Sequence, residues 1–350
     1  MFPRPISHSP RRSGTGFSLV EIMVGLTIGM LGLAIMAQVF ALAEGQKRTT
    51  TGGADAQTNG AIALYALQHD IRLAGHGGTD LKLFECSVLL RAGVTLSAMA
   101  PVVINSASIP AGDANTDTLL VVYGNTNGSP QGDGVTSQPS TAIFAVQTPT
   151  SFAVNDRVIA TLQNRPTPCA LTLDQVANVA SPNVTVATGA AGMSNGTLFN
   201  LGQTPKILAY AVRGGNLTQC DYMVNDCSNA ASTGNEAIWV PTDSNIVSMK
   251  AQYGRDTSVP MDAIVDVYDQ TTPASACGWA MVSAVRLALV ARNALYEKTA
   301  VTATAPTWVG TATDPVVLTA NADWQNYRYK VLQTVAPIRN VAWMGAQAGC

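Results

Sequence analysis

The sequence predicts an α+β chain. A long N-terminal helix, membrane-spanning in its first half and amphipathic in its second, is expected to pack on an antiparallel β-sheet domain with large loop-rich insertions. Three observations carry this. An apolar run without proline fills residues 17–43, apolar residues at helical spacing follow over 55–74, and beyond Gly75 short apolar runs alternate with Gly, Ser, Thr, Asn and Pro. The expected organisation is a leader (1–16), an apolar helix (17–43), a hinge with an amphipathic helix (44–75) and a β-rich domain (76–350).

The composition sets the outer bounds. With 350 residues, 47% hydrophobic and 12% charged, the chain is no disordered polyelectrolyte, and its length suits one large domain or two ordinary ones. Lys and Arg (20) do not exceed Asp and Glu (22), and no Lys/Arg run is longer than two, so direct nucleic-acid binding is not expected. Only three histidines occur (His8, His69, His76), none four residues from another. A histidine-based metal or catalytic centre has little to draw on. The composition favours a structural or binding role, with no cofactor and no metal.

Residues 1–16 carry Arg4, Arg11 and Arg12 and no acid. Residues 17–43 contain one ionisable group, Glu21. As a helix they reach roughly 40 Å, enough to cross about 30 Å of bilayer hydrocarbon once. The basic leader holds the N-terminal side in the cytoplasm, so everything after Ala43 is expected across the membrane. A cleaved signal peptide would share the basic start, and Ala41-Leu42-Ala43 before Glu44 fits its cleavage site. However, the apolar run exceeds the roughly 7–15 residues of such segments. An intramembrane carboxylate costs on the order of 2.5–3.5 kcal/mol at mid-helix, less near the interface, so an unpartnered Glu21 is disfavoured.

Gly16-Phe17-Ser18-Leu19-Val20-Glu21, followed by the apolar run, resembles the processing site of the type IV pilin superfamily. The resemblance implies that a prepilin peptidase, an intramembrane aspartic protease, cuts between Gly16 and Phe17 and methylates the new amino group. Glu21 becomes the fifth mature residue. The physics follows independently: cleavage leaves one α-amino cation on an apolar helix, and the Glu21 carboxylate of an adjoining subunit can meet it in a low-dielectric seam. Such a pair acts as a register device. Gly25, Gly29 and Gly32 permit close helix approach, although glycine is in any case common in membrane helices. Many major pilins carry a proline in this segment; residues 17–43 have none.

Thr49-Thr50-Thr51-Gly52-Gly53 reads as a break or hinge. Leu64, Leu67, Ile71 and Ala74 then recur at three- and four-residue steps, with Gln68, Asp70 and Arg72 on other faces and Gly75 as a stop. Strands are expected at 118–123, 142–146, 157–162, 184–187, 206–212, 237–240, 246–253, 282–291 and 327–334. Residues 125–140 read as the clearest loop. The stretch Leu67-Gln68-His69-Asp70-Ile71-Arg72-Leu73-Ala74-Gly75, the strand Val285-Arg286-Leu287-Ala288-Leu289-Val290 and the terminal Pro337-Ile338-Arg339-Asn340 resemble PilW-type minor pilins. The middle, roughly 86–245, resembles nothing that can be named.

Six cysteines (Cys86, Cys169, Cys220, Cys227, Cys277, Cys350) all follow the membrane segment, in an oxidising compartment by topology, so disulfides are expected. Fifteen connectivities are possible. Cys220 and Cys227 are close enough to pair by local loop closure, and a bond from Cys350 to Cys277 would keep the C-terminus from fraying. The spacing does not suit zinc. Gly192-Met193-Ser194-Asn195-Gly196 satisfies G-x-S-x-G, yet its flanks are turn-forming rather than strand and helix. Asp113-Ala114-Asn115-Thr116-Asp117 begins like a calcium loop but lacks the glycine hinge and final acid. Asp262 and Asp266 read as solvated acids sharing one strand face.

The family resemblance implies a non-catalytic minor pilin that helps initiate or cap a type IV pilus. It would lie first in the inner membrane with its C-terminal domain in the periplasm, then in the pilus. Implied partners are the prepilin peptidase, the major pilin, other minor pilins and the inner-membrane assembly platform. The alternatives are a type II secretion pseudopilin, a pilus-anchored adhesin or binding module, and a secreted enzyme beginning at Glu44.

Overall fold

The computed structural model describes residues 16–342, 344, 345, 347 and 350. The expected leader lies outside these residues except for Gly16. Two units result, residues 1–51 and 52–350. Helix α1 (Leu19–Leu73) is followed by β1 (Ser87–Arg91), β2 (Val94–Leu96), β3 (Val102–Ile104) and β4 (Leu119–Tyr123). Then come β5 (Asp133–Ser140), β6 (Ile143–Val146), β7 (Arg157–Thr161), β8 (Ala170–Ala180), β9 (Asn183–Val186) and β10 (Thr197–Gly202). The chain continues through β11 (Lys206–Arg213), β12 (Asn216–Asp221), β13 (Val240–Ser244), β14 (Ile246–Arg255) and β15 (Val267–Asp269). It ends with α2 (Ala276–Ala280), β16 (Val282–Arg292), β17 (Tyr329–Pro337) and α3 (Arg339–Ala342).

At residues 49–53, read as a break or hinge, the secondary structure is not interrupted and α1 is helical throughout, although the boundary between the two units falls there. Its threonines are satisfied inside the helix, because Thr49 Oγ1 donates to Gly45 O at 2.9 Å and Thr50 Oγ1 to Gln46 O at 3.0 Å. Such back-bonding removes the competition these side chains otherwise offer to helix hydrogen bonds. From Gly52 onward one face is buried, in the row Gly52, Ala56, Gly60, Ala63, Leu67 and Ile71. The first four members are small, so the buried face starts earlier than the apolar pattern from Leu64 indicates.

Smallness is a packing requirement there. A Cβ on Gly60 would lie 2.3 Å from Leu332 Cδ1 and 3.1 Å from Ala291 Cβ. Gly60→Leu is expected to lower the unfolding free energy of the β-rich domain by about 1–3 kcal/mol through overpacking. Denaturant titration of the detergent-solubilised chain checks this; an unshifted midpoint would mean that helix and sheet do not approach so closely.

The helix rests on an antiparallel sheet of order β15-β14-β16-β17 and contributes to a core shared with a second antiparallel sheet, β13-β12-β11-β4-β3. Between β4 and β11, whose Tyr123 and Lys206 are register partners, the chain detours into a closed barrel. Its strands pair in the circle β5-β6-β9-β8-β7-β10 and back to β5. The barrel has a separate core built from Val135, Phe144, Val146, Phe152, Val158, Val176, Val184, Val186 and Leu198. Parallel pairing of β1 with β8 attaches β1 and β2 to it, the one departure from antiparallel pairing among the described strands.

The barrel corrects one expectation. Residues 133–140, read as loop, form β5, hydrogen-bonded to both β6 and β10. Only its first residues face the core, so its polar, Gly- and Pro-containing sequence resembles a turn while its pairing makes it a strand. Residues 237–239 are turn rather than strand, with β13 starting at Val240. Asp262 and Asp266 lie in the β14–β15 connection, not in a strand. The Asp266 carboxylate accepts from Thr257 N and Thr257 Oγ1, which holds it below the usual carboxylate range.

Candidate functional site

The N-terminal half of α1 carries the strongest surface feature of the molecule. Every residue from Gly16 to Thr51 is exposed, and the most apolar 18-residue stretch of the helix has a mean hydropathy of 2.2. The helix is long and apolar enough to cross a membrane. An exposed apolar surface of this extent marks contact with lipid or with other protein.

Gly16, Phe17 and Ser18 precede the helix in non-helical, exposed backbone, with Phe17 81% exposed. The Gly16–Phe17 bond therefore stands clear of regular structure. The helix start is capped from both sides: Ser18 Oγ accepts from Val20 N at 3.3 Å and Glu21 Oε2 accepts from Ser18 N at 3.4 Å. This is a capping box, Ser at the cap and Glu three residues on. The structure thus gives Glu21 a local partner that its place in an apolar run alone does not suggest. Around Gly25, Gly29 and Gly32 no atom lies within 4 Å of a built Cβ, so no contact within the chain requires glycine there.

The other end of α1 is held by polar groups that the apolar periodicity passed over. Tyr123 Oη, on β4, donates to Asp70 Oδ1 at 3.0 Å, and Tyr210 Oη, on β11, donates to Asp70 Oδ2. Burial, and then the Asp70 charge, pushes both phenols far above a tyrosine's ordinary range. Gln68 Nε2 donates to Thr334 Oγ1 on β17 at 3.3 Å. Asn340 Nδ2 donates to the carbonyls at the helix end, Leu73 O at 3.1 Å and, in the turn that follows, Ala74 O at 2.9 Å. The terminal Pro337-Ile338-Arg339-Asn340 stretch therefore has a physical role: Ile338 is buried and Asn340 caps the helix C-terminus. A sequence signal for Asp70 did exist, an acid three residues after the buried Leu67 with tyrosines on otherwise apolar strands.

The cysteines pair as Cys86–Cys169, Cys220–Cys227 and Cys277–Cys350. The first ties the entry to β1 to the entry to β8, and the third ties the chain end to α2. The catalytic look-alikes resolve into turns. Asn195, in the G-x-S-x-G stretch, adopts a left-handed φ of 62°, and Asp113 accepts from Gly214 N and Gly215 N at 3.0 and 2.8 Å.

Two family descriptions match the chain. "Type IV Pilus-assembly protein W" matches residues 220–340, and "Prokaryotic N-terminal methylation motif" matches residues 11–37. The first runs from the end of β12 to the start of α3, including the sheet under α1 and the Asn340 cap; the second covers Gly16, Phe17 and Glu21. The barrel at 133–202 lies outside both. No curated protein and no solved structure gives a significant match.

Proposed function

Since this chain is a prepilin-like protein of type IV pilus assembly carrying a PilW domain, we propose that it is a non-catalytic minor pilin that helps initiate or cap the pilus. The observation that carries the reading is an apolar, wholly exposed stretch, residues 17–43, that follows the non-helical Gly16–Phe17 bond and bears a single carboxylate, Glu21. A prepilin peptidase cuts that bond at the cytoplasmic face of the inner membrane and methylates the Phe17 amine. The helix then leaves lipid for the helices of the major pilin and other minor pilins, with the assembly platform driving the transfer. The β-rich domain, with its three disulfides, occupies the periplasm and then the cell surface.

The closed barrel favours a second reading, a pilus-anchored binding module, because it is a separate core spliced between neighbouring strands and makes no part of the matched region. The test has two parts. The intact mass of the mature chain is expected to start at methylated Phe17; a start at Met1 or Glu44 removes the foundation of either reading. Deletion of the chain is then expected to remove pili. Loss of protein secretion instead identifies a pseudopilin, and loss of attachment with pili intact identifies an adhesin.

A further inference from the structure

The face of the β14–β16–β17 sheet turned away from α1 is covered by the long β16–β17 connection, which packs Trp308, Val316 and Leu318 on Ala288 and Val290. Lys250 is the register partner of Ala288, so its side chain stands on that covered face. There Lys250 Nζ donates to Asp314 Oδ1 at 2.7 Å, and the two side chains are each 7% exposed. Trp308 Nε1 donates to Asp314 O at 2.7 Å and fixes the backbone that presents the carboxyl.

A second carboxyl completes the cluster. Gln270 Nε2 reaches Asp314 Oδ2 at 2.9 Å, Asp117 Oδ2 at 2.8 Å and Ala251 O at 2.9 Å. An amide nitrogen has two hydrogens for these three acceptors, and Asp117 Oδ2 also accepts from Ala251 N at 2.9 Å. Asp117 is buried, shares the Gln270 amide nitrogen with Asp314, and its charge opposes ionisation of the Asp314 carboxyl. Burial, reinforced by Asp117 against the opposing pull of Lys250, pushes that carboxyl upward, toward its neutral form. A primary amine, an acid held toward neutrality and a second carboxyl group thus meet in a largely buried place.

We propose that Lys250 and Asp314 condense into an intramolecular amide, with Asp117 moving the protons. Proton transfer from the Lys250 ammonium to the Asp314 carboxylate gives a neutral amine and a neutral acid. Nζ then attacks Cγ and the N–C bond forms. Asp117 takes a proton from nitrogen and returns it to the departing hydroxyl, the C–O bond breaks, and water leaves. One ammonium and one carboxylate become one amide and one water, with no oxidant, reductant or co-reactant. The approach is intramolecular and already at hydrogen-bond range, which removes the entropic cost of bringing the groups together. The product also replaces two buried charges, which are costly to desolvate, by a neutral group. Pro315 follows Asp314 and has no N–H, so the carboxyl cannot be diverted into a succinimide with its own backbone. The bond would lock the β16–β17 connection to β14 and resist its removal under load.

The experiment is peptide mapping of the wild-type full chain, purified in detergent, denatured and reduced. The expected intact mass is one water below that of the mature sequence. Trypsin is expected to leave the bond after Lys250 uncut, so that segments 214–255 and 299–328 appear as one branched peptide. Lys250→Met and Asp117→Asn are each expected to restore the full mass, the second while keeping both bonding partners. A wild-type chain of full mass that trypsin cleaves after Lys250, or a water loss mapped to another residue, overturns the proposal without reference to any variant's folding. A cross-link that survives in Asp117→Asn overturns the part assigned to Asp117.

Discussion

Glu21→Ala is expected to lower incorporation of the chain into filaments by up to roughly two orders of magnitude while leaving the β-rich domain folded. The ceiling comes from the cost of an unpaired charge in lipid, about 2.5–3.5 kcal/mol at mid-helix and less toward the helix end where the amino cation sits. The capping contact in the single chain offers a rival account, since removing a helix cap costs about 0.5–2 kcal/mol. Glu21→Gln separates the two. A glutamine keeps a carbonyl oxygen that can accept from Ser18 N, as Glu21 Oε2 does at 3.4 Å, but it brings no charge to an adjoining subunit. If charge pairing governs docking, the glutamine and alanine variants fail alike; if capping governs it, the glutamine variant assembles as wild type. Quantitative immunoblotting of sheared pili against cell-associated protein gives the ratio, and circular dichroism with an unchanged unfolding midpoint reports on the domain. Normal incorporation of both variants would end the pairing account.

The sequence exposes features whose signal is local. The apolar helix and the strands of highest β-propensity, such as β11, β14 and β16, depend on neighbouring residues and appear in the structure close to where the pattern puts them. Features whose cause is distant were hidden. Gly52, Ala56 and Gly60 look like a weak helix and a hinge, yet they are small because Asn293, Ala291 and Leu332 come close, contacts made across more than half the chain. The β5 strand is polar because much of it faces solvent, and only the closure of the barrel makes it a strand. Asp117 began as a failed calcium loop. Its role rests on Asn105, Ala251, Gln270 and Asp314, none of which its local spacing reveals.

Asp70→Ala is expected to cost the β-rich domain about 3–5 kcal/mol, because hydrogen bonds to a charged group contribute about 1.5–3 kcal/mol each and one buried and one half-buried phenol lose their acceptor. The carboxylate is the one group at this place that can take both: Tyr123 occupies Oδ1 and Tyr210 occupies Oδ2, while Gln219 Nε2 donates to the Tyr210 oxygen at 3.1 Å. Asp70→Asn keeps the shape but sets an NH2 against one phenol, so it should recover only part of the loss. In a double-mutant cycle, Tyr210→Phe should cost much less in the Asp70→Ala background than in wild type; equal costs in both would show that the two side chains do not interact. The pH dependence has a fixed sign. The folded state holds both phenols above the unfolded value of 10.0, so their contribution is complete below pH 10 and is lost as pH rises toward the folded values. Each such tyrosine adds a slope of about 1.4 kcal/mol per pH unit above pH 10, and Tyr210→Phe should flatten the alkaline limb by one such increment. Urea midpoints measured from pH 9 to 12 read this directly. An alkaline limb as steep in Tyr210→Phe as in wild type would mean that the phenol is not the buried, Asp70-bonded group that anchors the end of the helix.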